Sequence, residues 1–273
     1  MKNTFRIAVC QLLTETETAE TMKKAAAFAA EAAGRGADFV VLPEMFNCPY
    51  SGRYFREAAR AGHESSLAEM SRWARENGVY LVGGSIPEKD GERLYNSCFV
   101  FDREGRVIAR HRKVHLFDVD IPGMRFRESD DFTPGSEVTV FDTEFGRMGT
   151  AVCFDLRFPE LFRAMAVRGA QVIFVPAQFN MKTGPAHWAD TLKMRAVDNE
   201  LFIVGASAAR YEGFDYECWG HSEIVDPYGI VLAEADEKER IIYADVDLGR
   251  IAEVRAQLPT FLKLRRDVYR VAE

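Results

Sequence analysis

The chain has 273 residues, 47% hydrophobic and 28% charged, with 42 Asp and Glu against 35 Lys and Arg for a net charge of -7. That composition can bury a sizeable core, and its acidic balance excludes a general nucleic-acid or anionic-membrane surface. Five cysteines (Cys10, Cys48, Cys98, Cys153, Cys218) lie scattered without a C-x-x-C pair and no apolar stretch reaches membrane-spanning length, so reduced thiols in a cytoplasmic, soluble protein are expected.

Residues 5–12 are mostly apolar, as in a strand covered on both faces, and read as a first core strand rather than a signal peptide. An Ala-rich helix follows over 18–33, stopped by Gly34 and Gly36, and then a strand over 37–44. This is a βαβ unit with its two strands in parallel. Glu44 then stands beyond the C-terminal edge of the sheet, where open α/β sheets bind ligands; taken alone it also reads as a solvated loop carboxylate. Residues 45–53 form a loop holding Pro49, Tyr50 and Gly52, residues 67–77 a helix, and 79–86 a strand. Residues 94–101 and 107–111 alternate around a turn at 102–105, which predicts an antiparallel hairpin. Lys113 follows it in a basic run, and residues 118–134, containing Glu128, read as a surface loop or lid.

The second half repeats the scheme, with strands over 138–141 and 147–152, a helix over 159–168 and a strand over 171–176. Pro185 opens a helix running to about residue 199; strands over 201–207, 222–225 and 241–246 come next, with a turn at 226–229, and Asp247 caps a helix to Gln257. The segment from about 251 to 273 is too apolar to hang free and is expected to pack on a partner subunit. With no linker or composition break, residues 1–273 read as one domain.

Cys153 sits between an apolar strand and a helix whose first turn holds Pro159. A thiol there meets helix N-terminal amides that favour the thiolate, and the backbone N–H of Phe154 can face an oxyanion beside it. A buried structural cysteine is the alternative for this stretch alone. The five histidines (His63, His111, His115, His187, His221) lack metal-site spacing, and neither a G-x-G-x-x-G nor a P-loop signature occurs. No metal or cofactor is therefore expected. A Cys-His hydrolase stays open on the residues alone, with no local signature selecting the base. The other arrangement pairs Cys153 with Glu44 as base and Lys113 as oxyanion partner, a cysteine hydrolase site without histidine.

Three segments carry a resemblance: Leu42-Pro43-Glu44, Arg112-Lys113-Val114-His115-Leu116, and residues 152–160 around Cys153. In that order they resemble the signatures of the nitrilase, or carbon–nitrogen hydrolase, superfamily, along essentially the whole chain. The resemblance implies an α/β fold, an α-β-β-α sandwich that dimerises into a four-layer α-β-β-α-α-β-β-α assembly, with no cofactor. It implies Glu44, Lys113 and Cys153 as catalytic residues, with Glu128 as the second glutamate that orients Lys113 or the substrate amide. Tyr50, Phe154, Arg157, Phe179 and Asn180 are the substrate-binding candidates. Residues 115–123, 179–188 and 219–222 and the segment from Leu258 to Tyr269 are similar to the ω-amidase branch, whose members hydrolyse the terminal amide of α-ketoglutaramate and α-ketosuccinamate. Deaminated-glutathione amidase, other aliphatic amidases, N-carbamoyl amino acid hydrolases and nitrilases are the alternatives, and a nitrilase-fold scaffold is the non-enzyme one. The partner implied is a small, anionic amide, whose carboxylate would need a local cation; Arg125, Arg127 and Arg157 are the candidates.

Overall fold

Along β1 (Thr4–Gln11) the apolar side chains divide by parity: Phe5, Ile7 and Val9 join one buried cluster, Ala8 and Cys10 another. A strand can do this only when both its faces are covered, and the layering of the whole molecule follows from it. The computed structural model describes residues 2–211 and 216–270. After β1 come α1 (Thr18–Gly34), β2 (Phe39–Val41), α2 (Gly52–Ala61), α3 (Glu64–Asn77), β3 (Tyr80–Val82), β4 (Ile86–Asp90), β5 (Arg93–Phe101) and β6 (Val107–Arg112). A small hairpin, β7 (Asp118–Ile121) and β8 (Met124–Arg127), precedes β9 (Val140–Asp142), β10 (Arg147–Thr150), α4 (Pro159–Val167), β11 (Val172–Ala177) and α5 (Gly184–Asn199). The chain closes with β12 (Phe202–Ser207), β13 (Glu223–Val225), β14 (Val231–Glu234), β15 (Arg240–Asp247) and α6 (Gly249–Gln257).

One sheet has the order β15-β1-β2-β3-β5-β4, with β6 on β5; the other runs β14-β13-β12-β11-β10-β9. In each, three central strands are parallel: β1, β2 and β3 in the first, β10, β11 and β12 in the second. The parity of β1 recurs in β2, where Phe39 and Val41 face the inner cluster and Val40 the outer, and in β5, where Cys98 and Val100 face inward and Phe99 and Phe101 outward. The inner cluster joins the two sheets, while the outer face of the first sheet packs on Ala25, Ala29 and Ala32 of α1 and Met70 and Trp73 of α3. Leu161, Phe162 and Met165 of α4 and Trp188 and Leu192 of α5 pack with the second sheet. The layers are therefore α-β-β-α, as expected.

Several expected elements differ. The strand expected over 79–86 breaks at Gly83 and Gly84, and β4 starts beyond the break. Gly84 has φ +59°, and a Cβ there would stand 2.0 Å from the carbonyl oxygen of Pro43, so that site admits only glycine. Helix α2 has no sequence counterpart because it buries only Phe55 and Ala59 among charged neighbours. The expected loop over 118–134 contains the β7–β8 hairpin, and its Glu128 is buried rather than at the surface. Strand β10 stops at Thr150, and residues Cys153–Arg157 form a 3-10 turn of their own before α4. In the C-terminal segment, Ile251 and Val254 are covered by the chain itself, and Leu258, Leu262, Val268 and Tyr269 are the exposed apolar residues. Residues 271–273 of that segment lie outside the described residues. Among those described, no helix is long and apolar enough to cross a membrane.

Candidate active site

Glu44 follows β2 by three residues. The turn it stands in is held by Met45, which has φ +45° and donates its N–H to Ser85 Oγ at 3.0 Å. Four donors hold the carboxylate: Oε1 accepts from Lys113 Nζ (2.8 Å), Asn96 Nδ2 (2.8 Å) and the Tyr50 hydroxyl (3.3 Å), and Oε2 accepts from the Gln178 N–H (2.9 Å). Lys113 comes just after β6. Its N–H donates to Asn96 O and its carbonyl accepts from Gly135 N–H, both at 2.8 Å, which turns the side chain inward. There Nζ stands 2.8 Å from Glu44 Oε1 and 2.8 Å from Glu128 Oε2, with all three side chains fully excluded from solvent. Glu128 is held in turn by Asn96 Nδ2 (2.9 Å) and by the Phe117 N–H (2.6 Å).

Two carboxylates around one ammonium make a buried group of net negative charge, and the third catalytic candidate sits against it. Cys153 is 4% exposed and lies within hydrogen-bond reach of Glu44. Its φ of +47° puts it in the left-handed region, a strained conformation costing on the order of 1–3 kcal/mol in a non-glycine residue and characteristic of residues presented at a sharp elbow. Burial, and then the charge of Glu44, push the thiol well above its ordinary value, with Lys113 opposing. The resting group is therefore the neutral thiol. The expected favouring of the thiolate by the following helix is outweighed: α4 starts only at Pro159, beyond the 3-10 turn, and burial dominates. Burial also lifts the Glu44 carboxyl above the usual carboxylate value, with Lys113 pulling it back and Glu128 adding to the rise. For Lys113 burial alone would lower the ammonium's proton affinity, but Glu128 and Glu44 outweigh it and keep the group charged.

The arrangement places a thiol, a carboxylate of raised basicity and a cation together in a buried site. A base can take the thiol proton there, and the cation can meet the negative charge that develops on an attacked carbonyl.

Tyr50 is buried in this polar centre and stacks on Tyr216, ring centroids 4.5 Å apart. Phe154, Arg157 and Phe179 line, with Cys153, Phe117 and Tyr216, a cavity of about 10 Å³ over the thiol, room for roughly one water. A second cavity of about 280 Å³, walled in part by Tyr50, shares Gln178 and Tyr216 with the first. Arg157 lies over the rings of Phe179 (4.9 Å) and Phe154 (5.6 Å) and donates to His187 Nδ1 at 2.8 Å. No carboxylate among the described residues forms an ion pair with it, and burial lowers its proton affinity from the ordinary value. Arg125 and Arg127 are turned to solvent by the alternation of β8, which aims Phe126 at Tyr50 and Tyr216 instead. Asn180 spends its Oδ1 on the N–H groups of Lys182 (2.9 Å) and Thr183 (3.0 Å) ahead of α5, so it shapes a turn.

Sequence reasoning missed Asn96, Gln178 and Tyr216. Asn96 donates to both glutamates, and Gln178 donates its N–H and Nε2 to Glu44 and accepts the Tyr216 hydroxyl (2.6 Å) on its carbonyl. Gln178 did carry a signal. It is polar and directly follows the apolar strand β11, the same edge position that marks Glu44 and Cys153.

Residues 6–256 match the carbon–nitrogen hydrolase family. Omega-amidase NIT2 of Homo sapiens is 45% identical over 268 residues, covering 98% of this chain and 97% of that protein. The crystal structure of Saccharomyces cerevisiae Nit3, a member of branch 10 of the nitrilase superfamily, superposes with a TM-score of 0.90 at 36% identity, covering 97% of each chain. A mutant of the amidase from Nesterenkonia sp. AN1, which carries the Michael adduct of acrylamide at its active-site cysteine, superposes with a TM-score of 0.78 at 26% identity, covering 93% of this chain and 98% of that one.

Proposed function

The chain belongs to the carbon–nitrogen hydrolase family and is a hydrolase of carbon–nitrogen bonds other than peptide bonds, and from that premise we propose an ω-amidase that works through a Cys153 thioester. The observation that carries the reading is the Lys113 ammonium shared at 2.8 Å by two buried carboxylates, beside a thiol on a strained elbow. Glu44 accepts the Sγ proton as sulfur attacks the amide carbon. Lys113 Nζ meets the oxyanion, together with the Phe154 N–H, which as the second residue of a helical turn has no acceptor within it. The tetrahedral intermediate collapses as Glu44 returns the proton to nitrogen, so ammonia leaves and the acyl group stays on sulfur. Water takes the place of ammonia, Glu44 removes its proton, and attack on the thioester releases the carboxylic acid and restores the thiol. Glu128 keeps Lys113 in place and in charge throughout.

The substrate class is supported by full-length relatives named omega-amidase at 45% identity. It is supported also by Arg157, a cation beside the thiol with free N–H groups, suited to the far carboxylate of an α-keto acid amide. We assign the protein to a reducing compartment on the strength of five buried free cysteines, and infer a homodimer from the exposed apolar residues after α6. Ammonia release from α-ketoglutaramate, butyramide, a nitrile and an N-carbamoyl amino acid tests the substrate. α-Ketoglutaramate should have the highest kcat/KM; a preference for any other would remove the ω-amidase assignment.

A further inference from the structure

We propose that Asp155, two residues beyond the nucleophile, is a positioning residue that fixes the lysine-bearing segment to the cysteine-bearing turn. Its carboxylate is wholly buried and receives four N–H donors. Oδ1 accepts from the His115 N–H (2.9 Å) and His115 Nδ1 (2.7 Å), and Oδ2 accepts from the Val152 N–H (3.0 Å) and His111 Nε2 (3.0 Å). The donors come from three places. His111 belongs to β6, His115 lies two residues past Lys113, and Val152 is the residue immediately before Cys153. One side chain therefore holds both approaches to the reacting centre, from the first sheet and from the second.

The chemistry of the group suits that work. A carboxylate buried without a lysine or arginine beside it is costly unless its lone pairs are filled, and here four donors fill them. Burial acts to raise the proton affinity of Asp155, but its bonds to His111 and His115 outweigh this and hold it well below the usual carboxylate range, so it remains an anion. His111 Nδ1 stands 2.9 Å from Thr139 Oγ1; with the hydroxyl donating there, Nε2 keeps its hydrogen for Asp155. The His115 ring is fixed in turn by stacking on Phe158, centroids 3.5 Å apart and planes 8° from parallel. Phe158 is the residue that leads into α4.

The consequence is felt at the thiol. Lys113 is the cation that counters burial and Glu44 in setting the proton affinity of Cys153, and its effect depends on its distance. A clamp that loosened would let Lys113 drift from the sulfur and raise the pH at which the thiolate forms. A purely structural anchor would leave that pH unchanged.

The proposal rests on the assignment of Cys153, Glu44 and Lys113, which turnover by Cys153→Ala decides separately. Two variants test the clamp. Asp155→Asn keeps the shape but faces one of its donors with an amide N–H; His115→Ala removes the ring donor, and with it the stack on Phe158, at a half-buried position. For each, kcat and KM are measured with the amide substrate. Alkylation of Cys153 by iodoacetamide is followed across pH by mass analysis of its peptide, with Cys153→Ala as background, and folded fraction is read by circular dichroism. Asp155→Asn should lower kcat on the order of tenfold to a hundredfold with KM within about threefold. His115→Ala should lower it by about fivefold, a smaller effect because the other three donors still hold the carboxylate. In both, the alkylation profile should move to higher pH. A folded Asp155→Asn protein with wild-type kcat, or a loss of kcat without that upward movement, overturns the proposal. If Asp155→Asn does not fold, His115→Ala decides alone: an unchanged alkylation profile overturns it.

Discussion

Lys113 Nζ stands 2.8 Å from Glu44 Oε1 with neither side chain reaching solvent. A base bonded this closely to a cation would ordinarily be a weak one, yet burial wins and the Glu44 carboxyl sits above its usual value. Because the deprotonated form must take the thiol proton, activity should fall as pH drops through the raised Glu44 value. The acid limb of kcat/KM should therefore lie at higher pH than an ordinary carboxylate gives. Lys113 is held charged, so its own deprotonation should not limit the alkaline side. An acid limb at the normal glutamate position would contradict this account. Glu44→Gln should remove the turnover itself.

Cys153→Ser should reduce turnover at least about a hundredfold, some 2.7 kcal/mol in barrier, with the fold intact by circular dichroism. A serine hydroxyl holds its proton far more tightly than a thiol, and Glu44 is a carboxylate of only raised, not strong, basicity. Retained activity would remove the thioester route.

Arg157→Met should raise KM for α-ketoglutaramate while leaving butyramide nearly unaffected. The methionine keeps the apolar packing on Phe154 and Phe179 but offers no N–H to a carboxylate. A charge-assisted hydrogen bond of about 1.5–3 kcal/mol corresponds to a fall of roughly tenfold to over a hundredfold in kcat/KM. Equal falls on both amides would show that Arg157 shapes the pocket without binding the acid group.

Glu223 gives a stability prediction remote from the chemistry. It is buried on β13 opposite Glu234, and burial, with Glu234 and Asp190 adding and Lys193 opposing, lifts its carboxyl to about 7. The folded value lies above the unfolded one, so the contribution is fully present below the unfolded value and is lost as pH rises through about 7. Glu223→Gln cannot ionise and escapes that loss. Relative to wild type, its Tm should rise at alkaline pH, by an amount corresponding to about 2–3 kcal/mol, and the difference should shrink as the solution is acidified. Parallel Tm curves across pH would refute this.

Leu262 is 64% exposed in the C-terminal segment, with Leu258, Val268 and Tyr269 also exposed. If a second copy covers them, sedimentation at micromolar concentration should give a dimer or larger, and Leu262→Glu should weaken it. A monomeric wild type would remove the assembly.

Glu44 and Cys153 were legible in the sequence because each comes shortly after an apolar strand, and the parallel βαβ order puts such positions at one edge of a sheet. Lys113 was legible as a position but not as a role, since a lysine in a basic run is usually solvated. Its burial depends on Asn96 and Gly135, which are 17 and 22 residues away in sequence. Glu128 could be picked out only by resemblance. Its surroundings read as a polar loop, and the two strands there are four residues each with apolar side chains on one face alone. Helix α2 escaped for the same reason, a narrow apolar stripe. How far burial outweighs the helix amides at Cys153 was not legible, because it depends on groups brought in from other segments, Glu44 above all.

The inner cluster between the two sheets also sets a distance. Phe39 of β2 stacks on Phe174 of β11 with centroids 5.4 Å apart. The base leaves the first of these strands three residues past its end, and Gln178, which orients the base, leaves the second at once. Cys153 follows β10, the neighbour of β11 in the same sheet, so the gap between base and thiol is set by the thickness of an oily filling, as a shim sets the clearance of a machine. Trimming Phe174 changes that clearance without touching a polar atom. Conditional mutants, active when cold and idle when warm while still folded, should therefore map to this greasy layer as readily as to the polar centre it spaces.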